Sequence, residues 1–380
     1  MAAYHQMGHD SENLLAVPEL STFRGAILSP VNYEVIDVVG QIGEGRKREG
    51  FETIFDPQLY FPKTEQGCLR KWPHFPKDVD SADLDSMVWW GTVVDRIGDL
   101  CEPLRPTAVC SPAVVPRAFA DDYYSRTVEV AWLLKDRLAK HSVDTLQTAL
   151  IGMDDIATPG RAQAIASILT ATPCDQVYLI LIGAVEPRRE FNDPEPLKGA
   201  MRLISALSEA DRKVLVGFSC SDAVLWKAAG ASSVATGKFF NLRRFTSSRF
   251  DPPAGGGGQV PYWFEEALMA FLRSSDVIRV RQKELLSEAS LANPFSQQIL
   301  QQMSDEPKKS WLGLGWRQFM YWFADIEARI DAGLQARTLL VQAEANWRAL
   351  EDSDILMEEP RNDGSWIRAW RRAVAEYPTF

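Results

Sequence analysis

The sequence predicts a (βα)8 barrel of the TIM type, with an irregular eighth unit and a helical C-terminal extension. Short apolar runs alternate with longer amphipathic runs between residues 23 and 236. The apolar runs are mostly continuous, as in strands that are covered on both faces. The segment up to residue 285 also supplies about the 250 residues that such a barrel needs. An open, doubly wound sheet is the alternative.

Seven runs are predicted strands because each is short, apolar and bounded by turn residues or by a helical pattern. The eighth strand is the least regular, and the candidate for it is the short, charged run at residues 276–280. The seven runs span residues 24–29, 52–56, 106–111, 146–153, 176–183, 213–219 and 232–237.

The chain divides into three parts on this interpretation: an N-terminal segment at 1–22, a barrel at 23–285 and a helical subdomain at 286–380. The last part has no strand pattern. Its final helix carries an apolar stripe that includes two tryptophans and is flanked by arginines. Tryptophan and arginine are both typical anchors of protein interfaces. The alternative function is therefore a catalytically inactive scaffold that docks a partner protein through this helix. The structural alternative is that the stripe packs on the protein's own barrel. The residues are Trp366, Ile367, Trp370, Val374, Arg368, Arg371 and Arg372.

Composition and charge narrow the function classes. The chain has 380 residues and a net charge of −10, which argues against coating nucleic acid or an anionic membrane but allows one local cationic pocket. No run reaches the roughly 18 apolar residues that cross a bilayer. The N-terminus lacks the pattern of a secretory signal. Five cysteines without a close pair favour a reducing, cytoplasmic location.

One segment of this acidic chain is strongly basic: residues 235–250 contain four cations and no acid. In the predicted barrel it follows the seventh strand at the C-terminal face, where such barrels often bind phosphate. The glycine-rich residues 255–258 would then close over the site as a lid. The structural alternative is a solvated basic loop that pairs with surface acids. The predicted phosphate-binding residues are Gly237, Lys238, Asn241, Arg243, Arg244 and Arg249.

The other predicted strand ends carry further polar residues. Three aspartates are the predicted catalytic residues, because carboxylates from different strand ends can act as acid and base or as nucleophile and stabiliser: Asp56, Asp154 and Asp155. The same three aspartates are compatible with a magnesium site, although their spacing does not require one. The predicted substrate-binding residues are Ser29, Asn32, Gln58, Tyr60, Glu186, Arg188 and Ser219.

Several types of site are not indicated. None of the four histidines, at positions 5, 9, 74 and 141, falls at a predicted strand end. This argues against a Ser-His-Asp or Cys-His arrangement and against a His-rich zinc site. The sequence contains neither a GxGxxG after the first predicted strand nor a GxxxxGK[ST] motif. No cofactor is therefore evident from motifs.

Two stretches resemble the tRNA-guanine transglycosylases: "VGFSCSDAVLWKAAGASSVATG" at 216–237 and "FDPQLY" at 55–60. Together they cover less than a tenth of the chain. The resemblance implies a barrel that exchanges a nucleobase in RNA through an aspartate nucleophile, with Asp56 as a base-binding or catalytic carboxylate. Two features depart from that family. The seventh predicted strand reads "SSVATGK", without the nucleophilic aspartate, and the Cys-rich zinc motif is absent. We therefore expect a barrel that binds a nucleotide, a sugar phosphate or nucleic acid, with altered or absent transglycosylase chemistry.

Overall fold

A computed structural model describes residues 3–251, 259–305 and 309–378 of the chain. In these residues eight parallel strands form one closed barrel, so the predicted TIM-type fold is confirmed and the open sheet is not what forms. The strands are β1 (Ala3–Gln6), β2 (Gly25–Leu28), β3 (Glu52–Phe55), β4 (Ala108–Cys110), β5 (Asp144–Gly152), β6 (Gln176–Ile182), β7 (Lys213–Val216) and β8 (Ser233–Thr236).

Helices pack around the barrel between these strands. The helix α8 (Pro194–Glu209) illustrates the pattern: Asp193 caps its first turn, Pro194 is its first residue, and its apolar face is buried against the sheet. The helices up to the end of the barrel are α1 (Glu12–Leu15), α2 (Val35–Arg46), α3 (Ser81–Asp85), α4 (Met87–Leu104), α5 (Asp121–Leu138), α6 (Met153–Ile156), α7 (Arg161–Leu169), α8 (Pro194–Glu209) and α9 (Ala223–Ala228).

The predicted helical extension is also confirmed. It begins with an antiparallel hairpin of β9 (Trp263–Glu265) and β10 (Ala270–Leu272). No helix in the described residues has the length and apolarity that crossing a membrane would need. The helices of the extension are α10 (Ser274–Gln282), α11 (Glu288–Ala292), α12 (Ser296–Ser304), α13 (Leu312–Asp331), α14 (Ala336–Asp352) and α15 (Ser365–Glu376).

The prediction for the eighth strand was wrong. Residues 276–280 lie in α10, where Val277 and Val280 are buried three positions apart and Asp276 accepts a hydrogen bond from the backbone N–H of Arg273. The barrel is instead closed by β1, which pairs with β2 on one side and with β8 on the other. This strand lies in residues 1–22, which we had placed outside the barrel. It is four residues long and half polar, so its sequence lacks an apolar run.

The aromatic stripe of α15 packs inside the molecule and is not an exposed anchor for a partner. Trp366, Ile367 and Trp370 are all buried. The indole Nε1 of Trp370 donates a 2.7 Å hydrogen bond to the backbone oxygen of Phe191, in the loop after β6. Of the neighbouring arginines, Arg368 and Arg371 pair with Glu344 of α14, and Arg372 pairs with Glu376 of the same helix.

Candidate functional site

A cavity of about 930 Å³ opens at the carboxyl ends of the barrel strands. The loop after β8 and the start of α13 form much of its wall. The predicted lid at residues 255–258 lies outside the described part of the chain. Seven of the predicted site residues line this cavity: Asn32, Glu186, Arg188, Lys238, Asn241, Arg243 and Arg249.

Three of these cations form no ion pair with a carboxylate among the described residues, although the charge of Asp56 acts on Arg249 from a greater distance: Lys238, Arg243 and Arg249. Lys238 donates a 3.2 Å hydrogen bond to the backbone oxygen of Asp10. Arg243 donates to the backbone oxygens of Gly237 and Lys238, at 2.9 Å each, and its guanidinium carbon lies 3.8 Å from the ring centroid of Phe319.

Burial makes these unpaired charges costly. It lowers the pKa of Arg243 to about 9 and that of Arg249 to about 10, and it lowers the pKa of Lys238 as well. Each side chain is less than a tenth exposed. A buried charge without an ion-pair partner destabilises the fold unless something else neutralises it. The wall of the cavity therefore carries positive charge that an anion could balance.

Arg244 does not belong to this group, which corrects the prediction that it binds phosphate. Its guanidinium is 2.8 Å from a carboxylate oxygen of Glu190 and 3.3 Å from one of Asp222. Burial opposes its charge, but the two carboxylates more than offset this effect and raise the pKa of Arg244. Its charge is therefore already balanced within the protein.

Two further predictions are corrected by local packing. A Cβ atom on Gly237 would lie 2.7 Å from the backbone oxygen of Gln6 and 2.5 Å from Cβ of Leu242. Close packing against Gln6 and Leu242 therefore accounts for the glycine at position 237 without a ligand. Ser219 is buried, and its hydroxyl donates to the backbone oxygen of Val216, away from the cavity.

A buried hydrogen-bond network fixes the position of Arg249. Its Nη2 donates to Oγ of Ser29 at 3.0 Å, and this hydroxyl in turn donates to Oε1 of Gln58, also at 3.0 Å. Asn32 donates to the same hydroxyl at 2.9 Å. Gln58 has a φ of 52°, in the left-handed region that costs energy for a residue with a side chain, and its Nε2 has no partner in the described residues. The network joins the predicted residues Ser29, Asn32 and Gln58 to the basic loop.

Asp56 lies in the buried region that also includes Arg249 and does not line the cavity itself. Its carboxylate accepts hydrogen bonds from the hydroxyl of Tyr60 at 2.7 Å and from the backbone N–H of Gln58 at 3.0 Å. Burial raises the pKa of Asp56 to about 6, although these bonds and the charge of Arg249 act in the opposite direction. A carboxyl group with this pKa can both donate and accept a proton near neutral pH.

The other two predicted catalytic aspartates do not join Asp56. Asp154 is exposed at the surface. Asp155 accepts hydrogen bonds from Arg161 at 2.9 Å and from the Tyr124 hydroxyl at 3.1 Å, which fixes it between α5 and α7. Both lie in the short helix α6, which directly follows β5. In the described residues no three His, Cys, Asp or Glu side chains are grouped as a metal site.

Sequence reasoning missed several residues around the site. Trp316 in α13 and Tyr262, directly before β9, line the cavity, and only tertiary contacts bring them there. Tyr178 donates a 3.1 Å hydrogen bond to Gln6 in the barrel interior, and Gln6 was missed together with β1. The sequence did contain an indication of Glu190, since it directly follows two arginines in the loop after a predicted strand.

Comparison with known proteins adds little to this description. No protein-family model and no curated protein matches the chain. Among solved structures it is similar to an L-ribulose 3-epimerase, with a TM-score of 0.40 and 11% identity over 93% of this chain and 99% of that one. It is also similar to the type I 3-dehydroquinate dehydratase of Clostridium difficile, with a TM-score of 0.35 and 10% identity over 66% of this chain and 88% of that one. At these scores the barrel assignment rests on the strand pairing alone, and no function is transferred.

Proposed function

We propose that this protein binds a phosphate-bearing ligand in the cavity at the C-terminal face of its barrel. Nucleotides, sugar phosphates and nucleic acid are the ligand classes in question. The observation that carries the proposal is the group of Lys238, Arg243 and Arg249, three buried cations that line one cavity without a carboxylate partner in the described residues. A phosphate group would supply the counter-charge, and guanidinium groups match the geometry of its oxygens.

The position of the cations supports the same conclusion. They lie on the loop after β8, and the loops after the last strands of such barrels are common phosphate sites. The protein as a whole has a net charge of −10, so this group of cations stands out against its surroundings. A positive cavity in an acidic protein favours a small, localised anion over a long polyanion that spreads across the surface.

The test is thermal unfolding of the full chain with increasing pyrophosphate, at constant ionic strength maintained with sodium chloride. A ligand at 100 times its dissociation constant stabilises the native state by about 2.7 kcal/mol. We expect the melting temperature of the wild type to rise and the rise to be lost in Lys238→Met and in Arg249→Gln. Arg281→Gln is the matched control, because Arg281 is exposed on α10.

Two outcomes would overturn the proposal. One is a wild-type melting temperature that pyrophosphate leaves unchanged. The other is an equal rise in the wild type, the control and both cavity variants, which would indicate non-specific ion binding. A circular dichroism spectrum of each variant without ligand checks that it is folded before the comparison is made.

The similarity of residues 55–60 to the transglycosylase motif extends the proposal to chemistry. The pKa of Asp56, raised to about 6 by burial, suits proton transfer. We propose that Asp56 protonates the departing base while the incoming base attacks the ribose carbon and then returns a proton to Asp56, so that one glycosidic bond breaks as the other forms without an aspartate nucleophile. Because Asp56 does not line the cavity, contact with a substrate requires the basic loop to move. The test is exchange of a radiolabelled base into nucleotides, which Asp56→Asn should abolish. Absence of exchange by the wild type would refute catalysis and leave the binding proposal intact.

A further inference from the structure

The cavity that holds the cations has an aromatic wall. Four half-buried rings line it, and they form two edge-to-face pairs. Phe239 and Trp316 have centroids 5.4 Å apart at 82°, and Phe240 and Tyr262 have centroids 5.3 Å apart at 88°. An edge-to-face pair leaves ring faces that its own members do not cover. Such faces can stack on a planar ligand.

The rings and the cations alternate within the same wall. The ammonium of Lys238 is 4.8 Å from the centroids of both Phe239 and Trp316. The guanidinium carbon of Arg243 is 5.1 Å from the centroid of Phe240. Inorganic phosphate, or the phosphate of a sugar phosphate, would balance the charge without using the half-buried rings. A ligand with both an anionic group and an aromatic ring uses both parts of the wall.

An amide next to the rings adds a hydrogen-bonding group. Asn241 lines the cavity, and its side-chain oxygen is buried without a hydrogen-bond partner in the described residues. A buried polar atom of this kind normally has a partner, either protein, water or ligand. The amide of asparagine can pair with the donor and acceptor groups on the edge of a nucleobase.

We infer that the ligand of this cavity is a nucleotide. Its phosphate contacts Lys238 and Arg249, its base stacks on the ring of Trp316, and the edge of the base faces Asn241. This inference rests on the proposed function, because it assigns the phosphate to the same cations. The volume of about 930 Å³ lies within the range of about 300–1,000 Å³ for small-molecule sites, so the ligand is a free nucleotide and not a long strand.

The experiment is isothermal titration calorimetry of the full chain with AMP, GMP, CMP and UMP, each compared with ribose 5-phosphate and with inorganic phosphate. Stacking and edge contacts should make at least one nucleotide bind about tenfold more tightly than ribose 5-phosphate. Trp316→Leu should remove this difference and leave the affinity for ribose 5-phosphate within about threefold of wild type. Trp132→Leu is the control, because Trp132 is 56% exposed on α5 and lies outside the cavity.

The possible failures can be distinguished. If ribose 5-phosphate binds as tightly as every nucleotide and Lys238→Met abolishes both, the base has no site and only the anion proposal survives. If an RNA oligonucleotide binds but none of the four mononucleotides does, the nucleotide inference is likewise wrong. If no phosphate compound binds at all, the inference and the proposed function fail together.

Discussion

Arg249 donates a 3.0 Å hydrogen bond to the hydroxyl of Ser29, although the two residues are 220 positions apart in the sequence. Ser29 directly follows β2, and Arg249 lies in the loop after β8. The bond therefore fastens the basic loop across the mouth of the barrel. It also sets the position of one of the cations that we propose for the phosphate, so the first prediction concerns this hydroxyl.

Replacement of Ser29 by alanine removes the buried acceptor of Arg249. We expect Ser29→Ala to lower the free energy of unfolding by about 1–3 kcal/mol, the cost of a buried donor without a partner. Its affinity for pyrophosphate should fall by about threefold to tenfold. Urea unfolding and calorimetry measure the two effects. Ser167→Ala, at an exposed position of α7, is the control and should change neither; an equal result for both variants would contradict the role of Ser29.

The pKa of Asp56 predicts a pH dependence of stability. Its folded pKa of about 6 exceeds the ordinary value of 3.8 for an aspartate, so the folded state binds more protons than the unfolded state between these values. Stability from protonated Asp56 is complete below about pH 4 and is lost as the pH rises to about 6. Asp56→Asn does not lose stability in this way, because asparagine does not titrate. Its stability relative to wild type should therefore increase by about 3 kcal/mol between pH 4 and pH 7.

Urea unfolding at several pH values measures this difference between the two proteins. Subtracting one stability from the other cancels the pH-dependent contributions of buried groups that both proteins share. His74 is one such group, since burial lowers its pKa to about 4. A relative stability that stays constant over this pH range would show that Asp56 is ionised in the folded state throughout.

Two buried lysines should respond in opposite ways to the same substitution. Lys238 has no carboxylate partner in the described residues, whereas Lys227 is 2.9 Å from Glu327 and 2.7 Å from Asp331. Without phosphate, we expect Lys238→Met to be as stable as wild type or more stable, by on the order of 1 kcal/mol. Lys227→Met should lose about 3–5 kcal/mol, since it removes the cation from a buried ion pair. Guanidinium unfolding measures both, and a large loss in Lys238→Met would contradict the view that its charge is unbalanced.

Arg244 should matter for stability and not directly for the ligand. It contacts two buried carboxylates, so Arg244→Met should cost about 3–5 kcal/mol in the free energy of unfolding. The double variant Arg244→Met, Glu190→Gln should recover part of this loss, because burial already raises the pKa of Glu190 to about 7 and its neutral replacement needs no cation. A double variant that is less stable than the single one would contradict this account.

The last helix should be part of the folded core. Trp370 is fully buried and bonded to the backbone of Phe191, so Trp370→Ala should destabilise the protein by about 3–5 kcal/mol. Trp132→Ala, at an exposed position, should change stability by less than about 0.5 kcal/mol. Thermal unfolding of the two variants separates a packed helix from a free docking element, for which both substitutions would be neutral.

Much of the barrel could be predicted from the sequence, because seven of its strands are covered on both faces and therefore appear as continuous apolar runs. The eighth could not. The strand β1 contains His5 and Gln6, and only its pairing with β2 and β8 makes it a strand. The run at 276–280 was misleading, since its two valines are three positions apart and this spacing suits a helix as well as a short strand.

The site residues could be predicted where their position after a strand is enough to place them at the mouth of the barrel. Lys238, Arg243 and Arg249 follow a strand, and the barrel brings them to its mouth. Which cation is already neutralised was not predictable, because Arg244 meets Glu190 only through tertiary packing. The position of Asp155 after an apolar run likewise predicts a carboxylate at a strand end. In the structure it lies in α6 and forms an ion pair with Arg161.

Closure of the barrel by β1 has a consequence for how the chain folds. Ala3 pairs with Val234, so the ring cannot close until more than 230 residues have left the ribosome. Until then one edge of β1 exposes unpaired backbone groups, and a chain without β1 would expose the facing edges of β2 and β8. Such edges are templates for pairing with other chains. Long-range pairing of this kind slows folding. Removal of the first eight residues should therefore yield an aggregating protein, even though they make up a small fraction of its mass.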